Sequence, residues 1–112
     1  MKNILLIVIA FVSFTAVAQD KKNKNARYDI EVNGNCEQCK KRIEKAAFSV
    51  SGVKSAEWHM DDHTLHLIIN EEKTSIAEVK KAIAKVGHDA GDVKATDEDY
   101  EKLHHCCKYE RK

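Results

Sequence analysis

The chain has 112 residues with 19 basic and 18 acidic side chains, so its formal net charge at pH 7 is +1. This length allows one small domain rather than two, and the balanced charge provides no basic excess of the kind that binds nucleic acid. Four cysteines and six histidines are many soft and borderline metal ligands for so short a chain.

Residues 1–18 have the pattern of a signal peptide. Lys2 supplies a positive start, an apolar stretch runs from Ile4 to Phe14, and Ala16-Val17-Ala18 fits the small-x-small motif that signal peptidase recognises. We expect cleavage after Ala18 and a soluble periplasmic or otherwise exported product with no stable membrane insertion. The alternative is an uncleaved membrane anchor. It is disfavoured because a spanning helix needs roughly 18 to 20 apolar residues, and the apolar stretch from Ile4 to Ala18 is shorter. No cysteine follows the cleavage point, so a lipid anchor is not indicated.

The rest of the chain alternates between the periods of strands and helices. Residues 19–25 are a polar linker, and the domain is predicted over residues 26–95. Within it, period-two alternation and helical spacing predict a strand, a helix, a hairpin, a second helix that begins at the Ser75-x-x-Glu78 capping box, and a weaker strand at 90–95. This order predicts an α+β, ferredoxin-like βαββαβ fold, in which two helices cover one face of a four-stranded antiparallel sheet. Trp58 is expected in its core.

Cys36 and Cys39 form a Cys-x-x-Cys pair where the first predicted strand ends, Gly34 bends the chain, and the first predicted helix begins. Two thiols at this spacing can converge on one metal ion. The unpaired N–H groups and the dipole at a helix start favour thiolate, which is the form that binds metal or does redox chemistry. Cys36 and Cys39 are therefore the predicted ligands of a soft metal ion.

The order of elements, the Cys36-x-x-Cys39 pair and Gly87 after the second helix resemble the heavy-metal-associated domain family over about residues 26–95. This family includes copper chaperones, the metal-binding domains of copper-pumping ATPases and periplasmic mercury-binding proteins. The resemblance implies the same fold and a metal site at the two cysteines. The chain departs from the family where Gly34 replaces a frequent methionine, and where His88 occupies a loop that often has an aromatic residue or lysine.

Four histidines fall at two places in the predicted fold. Chain direction places His63 and His88 at the same end as the cysteines. His88 is a candidate third ligand or a neighbour that orients the ligands, because imidazole binds copper and zinc, and the alternative is a solvated loop side chain. His59 and His66 are expected opposite each other across the hairpin on the uncovered sheet face. We favour an ordinary solvent-facing pair there over an accessory metal site.

Residues 96–112 form a tail that contains a His104-His105-Cys106-Cys107 cluster. Adjacent cysteines can form a strained vicinal disulfide, pair with other cysteines or bind metal, so Cys106 and Cys107 are further candidate ligands. The predicted last strand ends far from Cys36. A connection of seven residues spans about 23 Å if it is extended and about 10 Å if it is helical, so only an extended tail would return to Cys36 and Cys39.

Two metal sites are consistent with these residues. An open site made by Cys36 and Cys39 suits Cu(I) or Hg(II), and a closed site that adds Cys106 and Cys107 suits structural Zn(II). We favour the open site, with capture of Cu(I) and its delivery to a metal-transporting or metal-accepting protein that has its own thiol or Met/His ligands. A metal-bridged dimer is compatible with this chemistry. The first predicted helix also carries four basic residues, Lys40, Lys41, Arg42 and Lys45. They would favour the thiolate form of the cysteines and bind an acidic partner surface. The alternative is that they form the solvated face of an amphipathic helix.

A thiol–disulfide oxidoreductase is the alternative from another class, because Cys-x-x-Cys at a helix start is also the thioredoxin-type motif. The chain has no proline, whereas thioredoxin-like folds have a cis-proline beside the active site, and the order of elements differs. We therefore expect a protein that is not an enzyme. A passive metal buffer without a dedicated partner has the same sequence features as a chaperone.

Overall fold

The computed structural model describes residues 22–111. The predicted signal peptide, with its cleavage site, lies outside these residues. Within residues 22–111, no helix combines the length and apolar character required to cross a membrane.

The described chain forms a three-stranded antiparallel sheet with helices packed against it. The elements in chain order are β1 (Ala26–Glu31), α1 (Glu37–Phe48), β2 (Val53–His59), β3 (Thr64–Ile69), α2 (Ile76–Lys85), α3 (Asp97–Glu101) and a short 3-10 turn (His105–Cys107). In the sheet, β3 lies between β1 and β2. Leu67 of β3 is opposite Tyr28 of β1 on one side and Ala56 of β2 on the other. The predicted α+β arrangement is confirmed in this order of strands and helices.

The core lies between one face of the sheet and the two longer helices. Alternate residues of β3, namely Leu65, Leu67 and Ile69, are buried as period-two spacing requires. Ile43 of α1 and Ile83 of α2 are fully buried at helical spacing against this face. Burial of each such side chain contributes about 1.5–3 kcal/mol, which makes this layer the main source of stability. The remaining buried apolar residues of the sheet and α2 are Ala26, Ile30, Ala56, Trp58, Val79 and Ala84.

The predicted fourth strand is wrong for the described residues. Ala90 makes one isolated antiparallel bridge to Val32, and a second bridge to Val93 closes a tight turn instead of extending a strand. Gly91 supports this turn with φ of 55°, a conformation that glycine adopts at little cost. The Ala95 N–H then donates to the Asp89 carboxylate at 2.8 Å instead of to a neighbouring strand. The chain therefore stays at the end of the domain where β1 ends.

The tail packs onto the domain by a route that the sequence did not predict. Residues 97–101 form the short helix α3, and Leu103, Cys107 and Tyr109 beyond it belong to the same hydrophobic core as the sheet. The expectation that only an extended connection could reach Cys36 was wrong, because it assumed that a fourth strand would carry the chain to the far end of the sheet. Without that strand, a helical connection is long enough.

Candidate metal centre

The Cys-x-x-Cys pair lies at the start of α1. Cys36 is the N-cap residue, with extended backbone (φ −150°, ψ 174°), and its carbonyl accepts the Lys40 N–H at 3.1 Å. Cys39 lies in the first turn of α1 and is fully buried, whereas Cys36 is half-buried. The two sulfurs are 3.5 Å apart. The pair is therefore held on a rigid helix start, with one thiol inside the core and the other near the surface.

The tail brings two more sulfurs to the same place. Cys36 Sγ lies 3.5 Å from Cys107 Sγ and 3.7 Å from Cys106 Sγ, and the two tail sulfurs are 4.0 Å apart. All four cysteines are free thiols. Cys36 is therefore within 3.7 Å of every other cysteine sulfur. We refer to Cys36, Cys106 and Cys107 as the sulfur triangle.

Cys39 lies outside the sulfur triangle. The three sulfurs of the triangle lie within 4.8 Å of one another, and the sulfur of Cys39 does not satisfy that condition with all of them. Instead, the Cys39 thiol lies 3.3 Å from Asn35 Oδ1, and the Asn35 N–H donates to it at 3.4 Å. The four thiols therefore lie close together, but Cys39 stands beside the sulfur triangle and does not complete a tetrahedron with it.

The pKa values of these thiols differ because their surroundings differ. Burial alone would raise the pKa of Cys36, but hydrogen bonds from the Cys39 N–H and from the other three thiols outweigh it and lower that pKa to about 7. Burial raises the pKa of Cys39, although the Asn35 N–H opposes the shift. Burial also raises the pKa of Cys107, and the thiols of Cys39 and Cys36 add to the shift. Of these three thiols, Cys36 therefore has the lowest pKa.

His88 is near this end of the molecule but lies outside the sulfur triangle. The side chain is fully buried, its Nδ1 lies 2.7 Å from the Asn33 carbonyl, and its ring stacks on Tyr109 with centroids 5.5 Å apart. Burial lowers the pKa of His88 and keeps the ring neutral, even though the Asn33 carbonyl favours its protonated form. The alternative of a solvated loop histidine is therefore wrong. In the described chain its Nε2 is buried without a hydrogen-bond partner.

His63 shares the cysteine end, as predicted, and lines a shallow cavity there with Gly34 and Asn35. Its ring stacks on Trp58 with centroids 5.9 Å apart, and its carbonyl accepts the Val32 N–H at 2.8 Å. His63 does not belong to the sulfur triangle. Its contacts join the hairpin turn to the end of β1.

Trp58 explains why glycine precedes the cysteines. A Cβ atom on Gly34 would lie 3.0 Å from Cys39 Cβ and 3.1 Å from the Trp58 ring. The indole is almost fully buried, as predicted, and its Nε1–H donates to the Val32 carbonyl at 3.0 Å. The ring therefore fills the space into which a larger side chain at position 34 would project.

Sequence reasoning missed the residues that hold the tail in place. The Tyr109 hydroxyl donates to the Gly87 carbonyl at 2.8 Å and accepts the Asp89 N–H at 2.9 Å. Arg111 reaches the buried Asp89 carboxylate at 3.0 Å and the Ala95 carbonyl at 2.7 Å. The sequence offered only a weak signal for this anchor, in the form of two tyrosines within a charged tail.

A second group of metal-ligand side chains lies on the uncovered face of the sheet. One ligand atom each from His59, Asp62 and His66 lies within 4.8 Å of the others. The two rings are 4.5 Å apart, but the expected direct pairing was wrong, since Glu57 is the residue opposite His66. The hairpin loop covers residues 60–63, which displaces the two histidines to diagonal positions. Both rings are partly exposed, as expected for a solvent-facing pair.

The basic residues of α1 have different roles. Lys40 bonds Glu44 at 2.6 Å and the Trp58 carbonyl at 3.1 Å, so it fastens α1 to β2. Lys41 and Lys45 are exposed, and with Arg42 they line a groove between α1 and α2. Two of the four predicted basic residues are therefore free on the surface of α1.

The fold, with a cysteine pair at the start of α1, is that of a small metal-binding domain. The heavy-metal-associated domain matches residues 30–89, and the chain belongs to this family. The copper chaperone CopZ of Staphylococcus epidermidis is 34% identical over 61 residues, a match that spans 54% of this chain and 90% of that protein. CopZ of Staphylococcus haemolyticus is 33% identical over the same length.

Solved structures give the same result. A CopZ metallochaperone superimposes with a TM-score of 0.56 at 26% identity, and the match covers 58% of this chain and 98% of that one. Oxidised MerP from Ralstonia metallidurans CH34 has a TM-score of 0.52 at 22% identity over 59% of this chain and 96% of that one, which is a likeness of fold. The predicted resemblance to the family is therefore confirmed. The family match ends at residue 89, before Cys106 and Cys107.

Proposed function

We propose that this protein is an exported metallochaperone that captures Cu(I) through Cys36 and Cys39 and passes it to an acceptor protein. One observation carries the proposal: a half-buried and a buried thiol lie 3.5 Å apart at the start of α1, with two tail thiols against the first of them. Thiolate ligands select Cu(I) over harder ions. The similarity to proteins named copper chaperones supports copper as the metal.

The partner we infer is a metal-transporting or metal-accepting protein with its own thiol or Met/His ligands. Similar folds occur in a copper binding domain from a P-type ATPase and in the soluble region of a P-type ATPase of Bacillus subtilis. Lys41 and Lys45 are exposed on the helix that carries the site, where they would attract an acidic partner surface. Export follows from the signal-peptide pattern of residues 1–18 and would place this exchange in the periplasm or outside the cell.

Other thiophilic ions are the alternatives at the same site. Hg(II) shares the preference of Cu(I) for sulfur and low coordination. Structural Zn(II) prefers four ligands in a tetrahedron, and the position of Cys39 outside the sulfur triangle disfavours it. We also propose that the protein is not an enzyme, so a disulfide-reductase assay should show no turnover.

The experiment is an anaerobic titration of the reduced chain, without residues 1–18, with Cu(I) and separately with Zn(II) against a competing chelator. X-ray absorption then counts the sulfur neighbours of the bound ion. Two or three sulfurs around one tightly held Cu(I) are expected. Four sulfurs around Zn(II) with weak Cu(I) binding would contradict the proposal and assign the tail to a structural zinc site.

A further inference from the structure

We propose that the tail supplies ligands that compete with the acceptor: Cys106 and Cys107 join Cys36 in a closed three-thiolate site, and displacement of these two thiolates opens the Cys36–Cys39 site from which the ion leaves. This inference rests on the proposed function of Cu(I) capture. It adds to that function a second set of ligands, which lies outside the part of the chain that matches the family.

The dimensions of the sulfur triangle fit one metal ion. Its sides are 3.5, 3.7 and 4.0 Å, so the point equidistant from the three sulfurs lies about 2.2 Å from each. A metal–thiolate bond is about 2.3 Å long for zinc, which provides the scale for such a site. An ion at the centre of the triangle would therefore require almost no movement of the three sulfurs.

The Cys36–Cys39 pair does not have these dimensions in the closed arrangement. Its sulfurs are 3.5 Å apart, whereas two thiolates on opposite sides of an ion would be separated by about 4.6 Å, which is twice the same bond length. The Cys39 thiol is also occupied by its contacts with Asn35. The pair must therefore open to hold an ion between two opposed thiolates, and departure of the Cys106 and Cys107 thiolates gives it room.

The tail is built to present its thiols in one place. Tyr109 and Arg111 hold the chain after the cysteines through Gly87 and Asp89, and buried Leu103 holds the chain before them. Cys106 also lies 3.2 Å from Gln38 Oε1 on α1. Ligands held in the same molecule act at an effective concentration of the order of millimolar or higher, so an acceptor's thiols must displace them rather than fill an empty position.

Release is a ligand exchange in which copper remains Cu(I). The Cys39 thiol or an acceptor thiol loses its proton to solvent and binds the ion, and the departing Cys106 and Cys107 thiolates each gain a proton from solvent. Cys106 is exposed while Cys107 is fully buried. Exchange therefore begins at Cys106, which is the side that an acceptor can reach.

The test uses the chain without residues 1–18, since all four cysteines and the residues that hold them lie within residues 22–111. Three proteins carry one Cu(I) each: the unsubstituted chain, the double variant Cys106→Ser with Cys107→Ser, and Cys39→Ser. X-ray absorption should count three sulfurs in the unsubstituted chain and in Cys39→Ser, and two in the double variant. Release to a bicinchoninate chelator should be about tenfold faster in the double variant, since changes in affinity act mainly on the dissociation rate.

Circular dichroism establishes that each variant is folded. Because Cys107 is buried, the single variant Cys106→Ser provides a second test at an exposed position, and it should also release copper faster than the unsubstituted chain. Unchanged sulfur counts and release rates in the tail variants would overturn the closed site while leaving Cu(I) capture intact. Loss of Cu(I) from folded Cys39→Ser would also overturn it. If the unsubstituted chain binds no Cu(I), the proposed function itself fails.

Discussion

The sulfur of Cys36 lies 3.5 Å from the sulfur of Cys107, although 71 positions of sequence separate them. Cys36 is fixed by the start of α1, and Cys107 by a short turn whose neighbour Tyr109 is buried in the core. Neither residue could be displaced alone without breaking packing or hydrogen bonds. The convergence of the thiols is therefore a property of the tertiary structure.

Replacement of both Cys36 and Cys39 by serine should abolish Cu(I) binding and leave the fold intact. Cys36 is common to the pair and to the sulfur triangle, so this change leaves only the two tail thiols. Chelator competition measures the binding, and circular dichroism measures the fold. The matched control replaces His59 and His66 by alanine, because these residues lie on the uncovered sheet face. Unchanged stoichiometry and affinity in the double serine variant would refute the assignment of the site.

Tyr109→Phe should lower the free energy of unfolding by about 1–3 kcal/mol, because it leaves the Gly87 carbonyl and the Asp89 N–H buried without their partner. Urea denaturation measures the change. The exposed residue Lys102 provides the control, and Lys102→Ala should stay within about 0.5 kcal/mol of the unsubstituted chain. Equal stability of the two variants would mean that Tyr109 does not anchor the tail.

Gly34→Met should destabilise the domain by about 1–3 kcal/mol, as expected for an oversized side chain in a packed region. The new side chain would collide with Trp58 and with Cys39. Thermal unfolding followed by tryptophan fluorescence measures the effect. Gly34→Ala is the graded control and should cost less. A methionine variant as stable as the glycine protein would show that Trp58 does not restrict this position.

The metal-free protein should show a pH-dependent reactivity at Cys36. Its pKa of about 7 lies below that of an ordinary cysteine, so the reactive thiolate should appear as the pH rises through about 7 rather than through about 8.5. Iodoacetamide labelling at several pH values, with the labelled peptide quantified by mass spectrometry, provides the midpoint. A Cys36 midpoint near 8.5 would contradict the lowered pKa.

The sequence predicted the elements that local pattern controls. Strands β1 to β3 and helices α1 and α2 follow from apolar periodicity, and the Ser75 cap is present, since its hydroxyl accepts the Glu78 N–H at 3.4 Å. The prediction of a fourth strand was wrong because Gly91 and the Ala90–Val93 hydrogen bonds favour a local turn over pairing with a distant strand. These are contacts that periodicity does not encode.

The sequence predicted the Cys36–Cys39 pair, but it did not predict that Cys106 and Cys107 lie against Cys36. The motif indicated Cys36 and Cys39 because their spacing is local. The approach of Cys106 and Cys107 depends on Tyr109 and on the Arg111–Asp89 ion pair, which join parts of the chain that no motif connects. Chain direction predicted that His88 lies at the same end of the domain as the cysteines. Its burial against Tyr109 could not be predicted, because it depends on the position of the tail.

The burial of Leu103, Cys107 and Tyr109 has a consequence for where this domain ends. The segment shared with the family stops at residue 89, yet these three later residues share a core with the sheet and α1. A chain shortened to the shared segment would expose the apolar surface that they cover, including the side of His88 that now stacks on Tyr109. The hydrophobic core of this protein therefore extends beyond the segment that it shares with its family.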